Sequence, residues 1–373
     1  VCAAALLGGG CAKDVILPVD AVCGDGVKEG AEECDVASIG CVECHVAKGF
    51  SCTETDCTTT CGDGIRAGDE QCEPPDGTTC DSSCQTATKS EACDMNGYWI
   101  VRQTSFSIDD VVNQVQTASN WYAYKLSQTG TGFQVERALA CGIYVTGSAT
   151  VSLDDAATRA LLSLNPQDET SPRGPRRGTF APSGDGCDFE MDRHYMVRGV
   201  DPSFLPANFL AKPDLATLPP LPYEDDPEHP TGAHLEGAVD TDGDGKPGLA
   251  FRLTGNASGV RNAAQRDWNE YYTDSSFQIP AQAIEFTAGT RFDNQENILV
   301  VSRCPLIGCG LLLAGSVPAI DLKHRVTFRY LGKSLDEPRV AAVFTAEPGA
   351  SPDSDFATCA NVRAALAHDP SKE

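Results

Sequence analysis

The sequence predicts a mainly β protein in two parts: a small disulfide-stapled repeat module, then a large β-sandwich or β-barrel-like domain with a few short helices. Three observations carry that expectation. Eighteen cysteines stand against three methionines, and those of the first quarter recur at repeated spacings. Downstream, apolar and polar residues alternate with a period of two over several stretches. Helical patterns are few and short. The length of 373 residues suits two or three domains. An apolar fraction of 41% is enough to bury a core and rules out a wholly disordered chain. With 28 Lys plus Arg against 53 Asp plus Glu, the net charge of −25 repels phosphate backbones, so nucleic acid is excluded as a partner. So many cysteines point to an oxidising compartment.

The first ten residues, VCAAALLGGG, are small and apolar and run straight into Cys11. Signal peptidases need small side chains before the cut, so residues 1–10 are expected to be a signal-peptide remnant and Cys11 the lipidated residue of a lipobox. Gly8 stands where lipoboxes usually carry Leu. Residues 11–21 follow as a tether. The expectation is an exported chain, either an outer-membrane or cell-surface lipoprotein held to the membrane by its lipid, or a secreted protein. No later stretch offers the ~18 consecutive apolar residues of a spanning helix.

Residues 22–86 contain two copies of one unit. Cys23-Gly-Asp-Gly26 is followed by Gly30 and Cys34, and Cys61-Gly-Asp-Gly64 by Gly68 and Cys72, an offset of 38 residues. Each copy continues with a close pair, Cys41 and Cys44 or Cys80 and Cys84, and Cys52 and Cys57 lie between them. Units this short cannot bury a core, so cross-links must replace it. The pattern resembles the myxobacterial cysteine-rich repeats of exported and surface proteins. That resemblance implies a stalk or display module with no catalytic activity. It departs after the ECD, where Val36-Ala-Ser38 and Pro74-Pro75 replace the usual Asp-Gly-Asn run.

Cys41-Val-Glu-Cys44-His45 has the spacing that attaches c-type haem. The equivalent Cys80 and Cys84 are spaced differently and lack the His, and both pairs occupy one place in a disulfide repeat, so bridges are expected. A c-type cytochrome through Cys41, Cys44 and His45 is the electron-transfer alternative.

Residues 87–92 are read as a polar linker and 93–373 as the β-rich domain. Phe133, Val135, Leu139, Cys141, Ile143 and Val145 alternate as one face of a strand, interrupted by Arg137. Val326, Phe328 and Tyr330 form another strand face and Leu249, Phe251 and Leu253 a third. Ile298–Val301 and Val340–Phe344 read as buried strands. Helices are expected at Ile108–Val115 capped by Ser107, at Asp154–Leu164 and at Ala360–His368. A Pro-rich run within 202–232 is expected to be an extended excursion. Cys93, Cys141, Cys187, Cys304, Cys309 and Cys359 allow three bridges in fifteen pairings. Gly97-Tyr98-Trp99 is similar to the G-x-W that opens lipocalins. That similarity implies a barrel around a small ligand, with Trp99 packed on Arg329 and an apolar cavity near Trp99, Ile143 and Phe328.

Asp240-Thr-Asp242-Gly-Asp244-Gly245 places carboxylates at alternate positions of a tight loop, which suits structural calcium. Phe251 occupies the twelfth place, where an EF-hand needs Glu, so the loop instead resembles thrombospondin type 3 calcium loops. No GxSxG elbow, HExxH or phosphate loop is present in the sequence, and no catalytic residue is assigned. Asp188, Glu190 and His194 form the one acid–base grouping a secreted hydrolase could use, and His229 and His234 are spaced too loosely to argue a metal. Arg173, Arg176 and Arg177 read as a solvated, protease-sensitive loop or an anion contact. The function expected is a structural or binding role at the cell surface, with a protein or glycan partner. A lipocalin-like small-ligand carrier is the alternative within binding.

Overall fold

In the computed structural model, contacts divide the chain into two compact units, Val1–Pro75 and Asp76–Glu373. The described residues exclude 1–27, 163–175, 200–222, 226–232, 236–238, 303–315, 319–323, 367–373 and scattered single or short positions. Cys11, Cys23, Cys304, Cys309, Arg173, His229 and most of the Pro-rich run fall outside them.

The smaller unit carries two short hairpins. β1 (Cys41–Val42) pairs with β2 (His45–Val46), and β3 (Phe50–Cys52) with β4 (Cys57–Thr59). Disulfides join Cys34 to Cys41 and Cys52 to Cys57, and Cys44, Cys61 and Cys72 are also disulfide-bonded. With so little apolar area, these bridges stand in for a core.

The larger unit is mainly β and contains an eight-stranded barrel. Its ring runs β5 (Gly97–Asp109), β6 (Gln114–Thr129), β7 (Gly132–Thr146), β9 (Arg177–Ser183), β10 (Gly186–Arg198), β14 (Gly259–Tyr272), β15 (Glu285–Ser302) and β17 (Arg325–Gly332), which returns to β5. All neighbours are antiparallel. β8 (Ala149–Leu153) and β13 (Leu249–Gly255) join β7 to β14 a second time. β16 (Ser316–Pro318) adds to β5, and β11 (Tyr223–Asp225) pairs with β12 (Ala233–Leu235). Closure demands close backbone approach. At Gly97, φ is +120° and a Cβ would meet the Gly332 carbonyl oxygen at 2.4 Å; at Gly178 a Cβ would lie 2.1 Å from the Glu190 oxygen.

Alternation sorts the side chains. Inward-facing Trp99, Val101, Phe133, Phe189, Phe286, Phe328 and Tyr330 build one buried cluster. Phe286 and Phe328 stack with centroids 5.1 Å apart, and Trp99 meets both edge-on. Outward-facing Tyr98, Ile100, Trp121, Leu139 and Leu331 build a second cluster with α2 (Pro338–Val343) and α3 (Pro352–Ala365). Ser351 caps α3, Pro352 opens it, and Asp353 and Asp355 lie in its first turn, where the helix dipole favours negative charge. The Cys141–Cys359 disulfide and a 3.0 Å bond from Trp121 Nε1 to the Leu366 carbonyl hold α3 against β7 and β6. Cys93 is bonded to Cys187.

Several expectations change. Ile108–Val115 is not a helix: Ser107, Ile108 and Asp109 pair with Gln116, Val115 and Gln114 across a hairpin, and long-range pairing overrides the local cap signal. Val340–Phe344 is not a strand. Pro338 starts α2, and Val340 and Val343, one turn apart, are its buried residues. The helix begun by Asp154 is α1, Asp155–Ala160, and the last helix starts earlier than expected, at Pro352. The six alternating residues of β7 do not share a face. Register shifts opposite Lys125–Leu126 and Trp121–Tyr122 turn Leu139 and Cys141 outward.

Residues 87–92 are no simple linker, because Lys89 is buried with its ammonium 4.9 Å from the Trp99 ring centroid. Burial pushes that amine down to about 8. Arg329 does not pack on Trp99; it faces the other side of β17, bonding Glu285 at 2.6 Å, Ser82, Ser83 and the Ala365 carbonyl. Asp81 pairs with Arg339, so the end of the second repeat belongs to the larger unit. No helix among the described residues is long and apolar enough to cross a membrane.

The Cys141–Cys359 bridge closes a separation of 218 residues. Replacing both cysteines by Ala is expected to cost about 2–5 kcal/mol in urea unfolding. A loss below ~1 kcal/mol would show that packing alone holds α3.

Candidate functional site

Beyond the aromatic end of the barrel the inward residues turn polar. Gln103 on β5, Tyr122 and Tyr124 on β6, His194 on β10, Asn269 and Tyr271 on β14 and Thr290 on β15 are all buried, and Arg176 joins them from the residue preceding β9. The pairings Gln103–Asn120, His194–Asn269 and Tyr271–Thr290 set them side by side around the ring. The Tyr271 hydroxyl donates to Gln103 Oε1 at 3.3 Å, and Gln103 Nε2 donates to Asn269 Oδ1 at 2.5 Å.

Arg176 is 2% exposed. Its Nη1 donates to the Tyr124 hydroxyl, and its guanidinium carbon lies 5.3 Å from the Tyr122 ring centroid and 5.5 Å from that of Tyr124. Its Nη2 is buried without a hydrogen-bond partner, as are His194 Nε2 and Thr290 Oγ1. His194 packs edge-on against Tyr271 at 5.2 Å, and its Nδ1 sits 3.2 Å from the Asp192 carbonyl oxygen. That carbonyl requires the proton on Nδ1, which leaves Nε2 as a bare acceptor.

The electrostatics are one-sided. Burial opposes the Arg176 charge, but the Tyr124, Tyr122 and Tyr271 oxygens outweigh it and hold the guanidinium protonated. Burial pushes the Tyr124 phenol up, so it is neutral near pH 7. Burial, then Arg176, hold His194 well below the ordinary imidazole range, so it is neutral too. No carboxylate among the described residues pairs with Arg176. The Nη2 donor is left over once Tyr124 has taken Nη1, and an anion placed there would accept a charge-assisted hydrogen bond from it.

The other expected residues are placed as follows. Asp188 and Glu190 are exposed on the outer face of β10 while His194 points inward, so the three are not brought together. Trp99 and Phe328 are buried in the aromatic cluster. Ile143 instead borders an external pocket of ≈ 490 Å³ beside α3, with Trp121, Tyr144, Leu153 and Arg363. Cys41 and Cys44 both hold their sulfurs in disulfides, as does every described cysteine of the set, Cys80 and Cys84 included. Such a sulfur has no thiol to give a haem thioether. His234 lies on β12. Asp240, Asp242 and Asp244 do converge, with one oxygen from each within 4.8 Å of the others. Arg176 was legible only as part of a basic loop, since nothing local says that its side chain turns into the barrel. Its neighbour Arg177 is exposed, as expected.

Two outcomes follow for the ligand-free protein. Arg176→Met should lower stability by about 1–3 kcal/mol, because it removes a charge that the tyrosine oxygens favour and takes the donor away from the buried Tyr124 hydroxyl. A variant more stable than the parent would mean that burial of the charge outweighs the tyrosines. His194 stays neutral in the fold but takes a proton in the unfolded chain below its ordinary value of 6.5, so stability falls as pH drops below that value. His194→Gln should flatten this part of a pH–stability curve, and an unchanged slope would assign it to other groups.

No family model matches the chain, and neither curated proteins nor solved structures give a match.

Proposed function

We propose that this is an exported, lipid-anchored binding protein whose barrel holds a small organic anion. The observation that carries the ligand class is Arg176, a buried guanidinium with a free donor and, among the described residues, no carboxylate against it. Beside it His194 Nε2 offers an acceptor and Thr290 Oγ1 a hydroxyl, both unpartnered. The aromatic cluster on one side suits an apolar body attached to the charged group. Export is supported by the disulfide-bonded cysteines, which an oxidising compartment maintains. Anchoring rests on the small-residue run before Cys11. Asp188 and Glu190 lie exposed while His194 is buried, so the acid–base grouping of the hydrolase alternative is not brought together.

Displacement of a fluorescent anilinonaphthalene sulfonate tests the ligand class. Decanoate should displace it and decanol should not. Arg176→Met should weaken decanoate by about 10- to 100-fold, the worth of one charge-assisted bond of ~1.5–3 kcal/mol. Equal competition by acid and alcohol, or unchanged affinity in a folded Arg176→Met variant, would sink the reading. An intact mass beginning at a diacylated Cys11 is expected for protein taken from its own cells, and a free Cys11 thiol there would remove the anchor.

A further inference from the structure

The polar layer of the barrel sorts its hydrogen-bonding atoms into those already engaged and those left over. The Tyr271 hydroxyl gives its proton to Gln103 Oε1, and Gln103 Nε2 donates in turn to Asn269 Oδ1. Arg176 Nη1 donates to the Tyr124 hydroxyl. Three buried atoms remain: Arg176 Nη2, which can only donate; Thr290 Oγ1, which can donate or accept; and His194 Nε2. Tyr271 is the neighbour they share. It lies opposite Thr290 in the sheet, packs edge-on against the His194 ring, and its oxygen favours the Arg176 charge.

His194 Nε2 makes a demand that an anion alone does not meet. Its sister nitrogen Nδ1, 3.2 Å from the Asp192 carbonyl oxygen, carries the ring proton, so Nε2 presents a lone pair. A plain carboxylate seated on Arg176 brings only acceptors and leaves that lone pair unmatched. A buried acceptor without a donor weakens binding, which is how a site built around a hydroxyl rejects an analogue that lacks it. An ammonium could donate, but the Arg176 charge already acts on His194, and like charges repel strongly in a buried site. A neutral hydroxyl satisfies Nε2 without that repulsion.

We propose that the anion held in the barrel is a hydroxy acid. Its carboxylate accepts from Arg176 Nη2 and Thr290 Oγ1, and a hydroxyl on one of the first carbons of its chain donates to His194 Nε2. A simple acid answers two of the three leftover atoms; a hydroxy acid answers all three. This assignment rests on the anion reading above and adds the feature by which the site chooses among anions.

The test compares 2-hydroxydecanoate, 3-hydroxydecanoate, 3-aminodecanoate and decanoate as competitors of the same fluorescent sulfonate on the full chain. One of the two hydroxy acids should bind about fivefold tighter than decanoate, the worth of one neutral hydrogen bond to a buried acceptor, and the amino acid should bind more weakly than decanoate. His194→Phe, which keeps a ring and removes the acceptor, should bring the ratio of hydroxy acid to decanoate to about one; His194→Gln, which keeps an acceptor, should preserve part of it. If decanoate binds and decanol does not, yet neither hydroxy acid is preferred, the hydroxyl assignment falls while the anion reading stands. If decanoate does no better than decanol, both fall. Tightest binding by 3-aminodecanoate, or an undiminished hydroxy-acid preference in a folded His194→Phe variant, would also overturn the proposal.

Discussion

The structure of the larger unit depends on closure of its sheet. Once β17 pairs with β5 and β10 with β14, every ring strand has two neighbours, and the period-two alternation of each sequence segment becomes a division between inside and outside. Inside, the space must be filled or lined. Aromatic rings fill one end, with Lys89 drawn over Trp99. Outside, the apolar residues need cover, and α2 and α3 supply it. The two clusters are separated by one sheet thickness yet share strands residue by residue, as Tyr98 and Trp99 do on β5.

Against that demand for filling, the polar layer stands out. A barrel built only for rigidity would continue its aromatic packing. Here Arg176, His194 and Thr290 each leave a buried polar atom without a hydrogen-bond partner, which costs about 1–3 kcal/mol per group. The tyrosines around Arg176 temper the charge without neutralising it. Unspent hydrogen-bonding capacity in a buried interior is how a binding site differs from a core, which is why the anion reading rests on atoms and not on cavity size.

Much of the fold was legible in the sequence, for reasons tied to particular residues. Val326, Phe328 and Tyr330 alternate cleanly because β17 has no bulge over that stretch, and they are buried as expected. On β7 the same rule failed where extra residues reverse the face, at Cys141 among others. The hairpin at Ser107 was hidden because Ser, Ile and Asp there satisfy a helix cap as well as a strand end. The convergence of the acidic loop was visible since its three carboxylates are contiguous in sequence, whereas Asn262, which donates to Asp244, lies eighteen residues beyond it and comes into contact only through pairing of β13 with β14. Arg176 was invisible for the same reason: its neighbours in space come from three other strands.

The cross-links also constrain how the chain is made. Cys141 emerges after Cys93 and before Cys187, yet its partner is Cys359, 218 residues later. During synthesis, Cys93 and Cys187 are nearer candidates for it than the cysteine it must eventually meet. Oxidation in order of appearance would therefore trap a bond between the wrong cysteines and leave α3 untethered. The native connectivity requires either that Cys141 wait as a thiol until the ring has closed, or that early bonds be exchanged by attack of a free thiolate. On the first route the order of folding protects the connectivity, and on the second a thiol-exchange activity in the compartment that receives the chain must correct it.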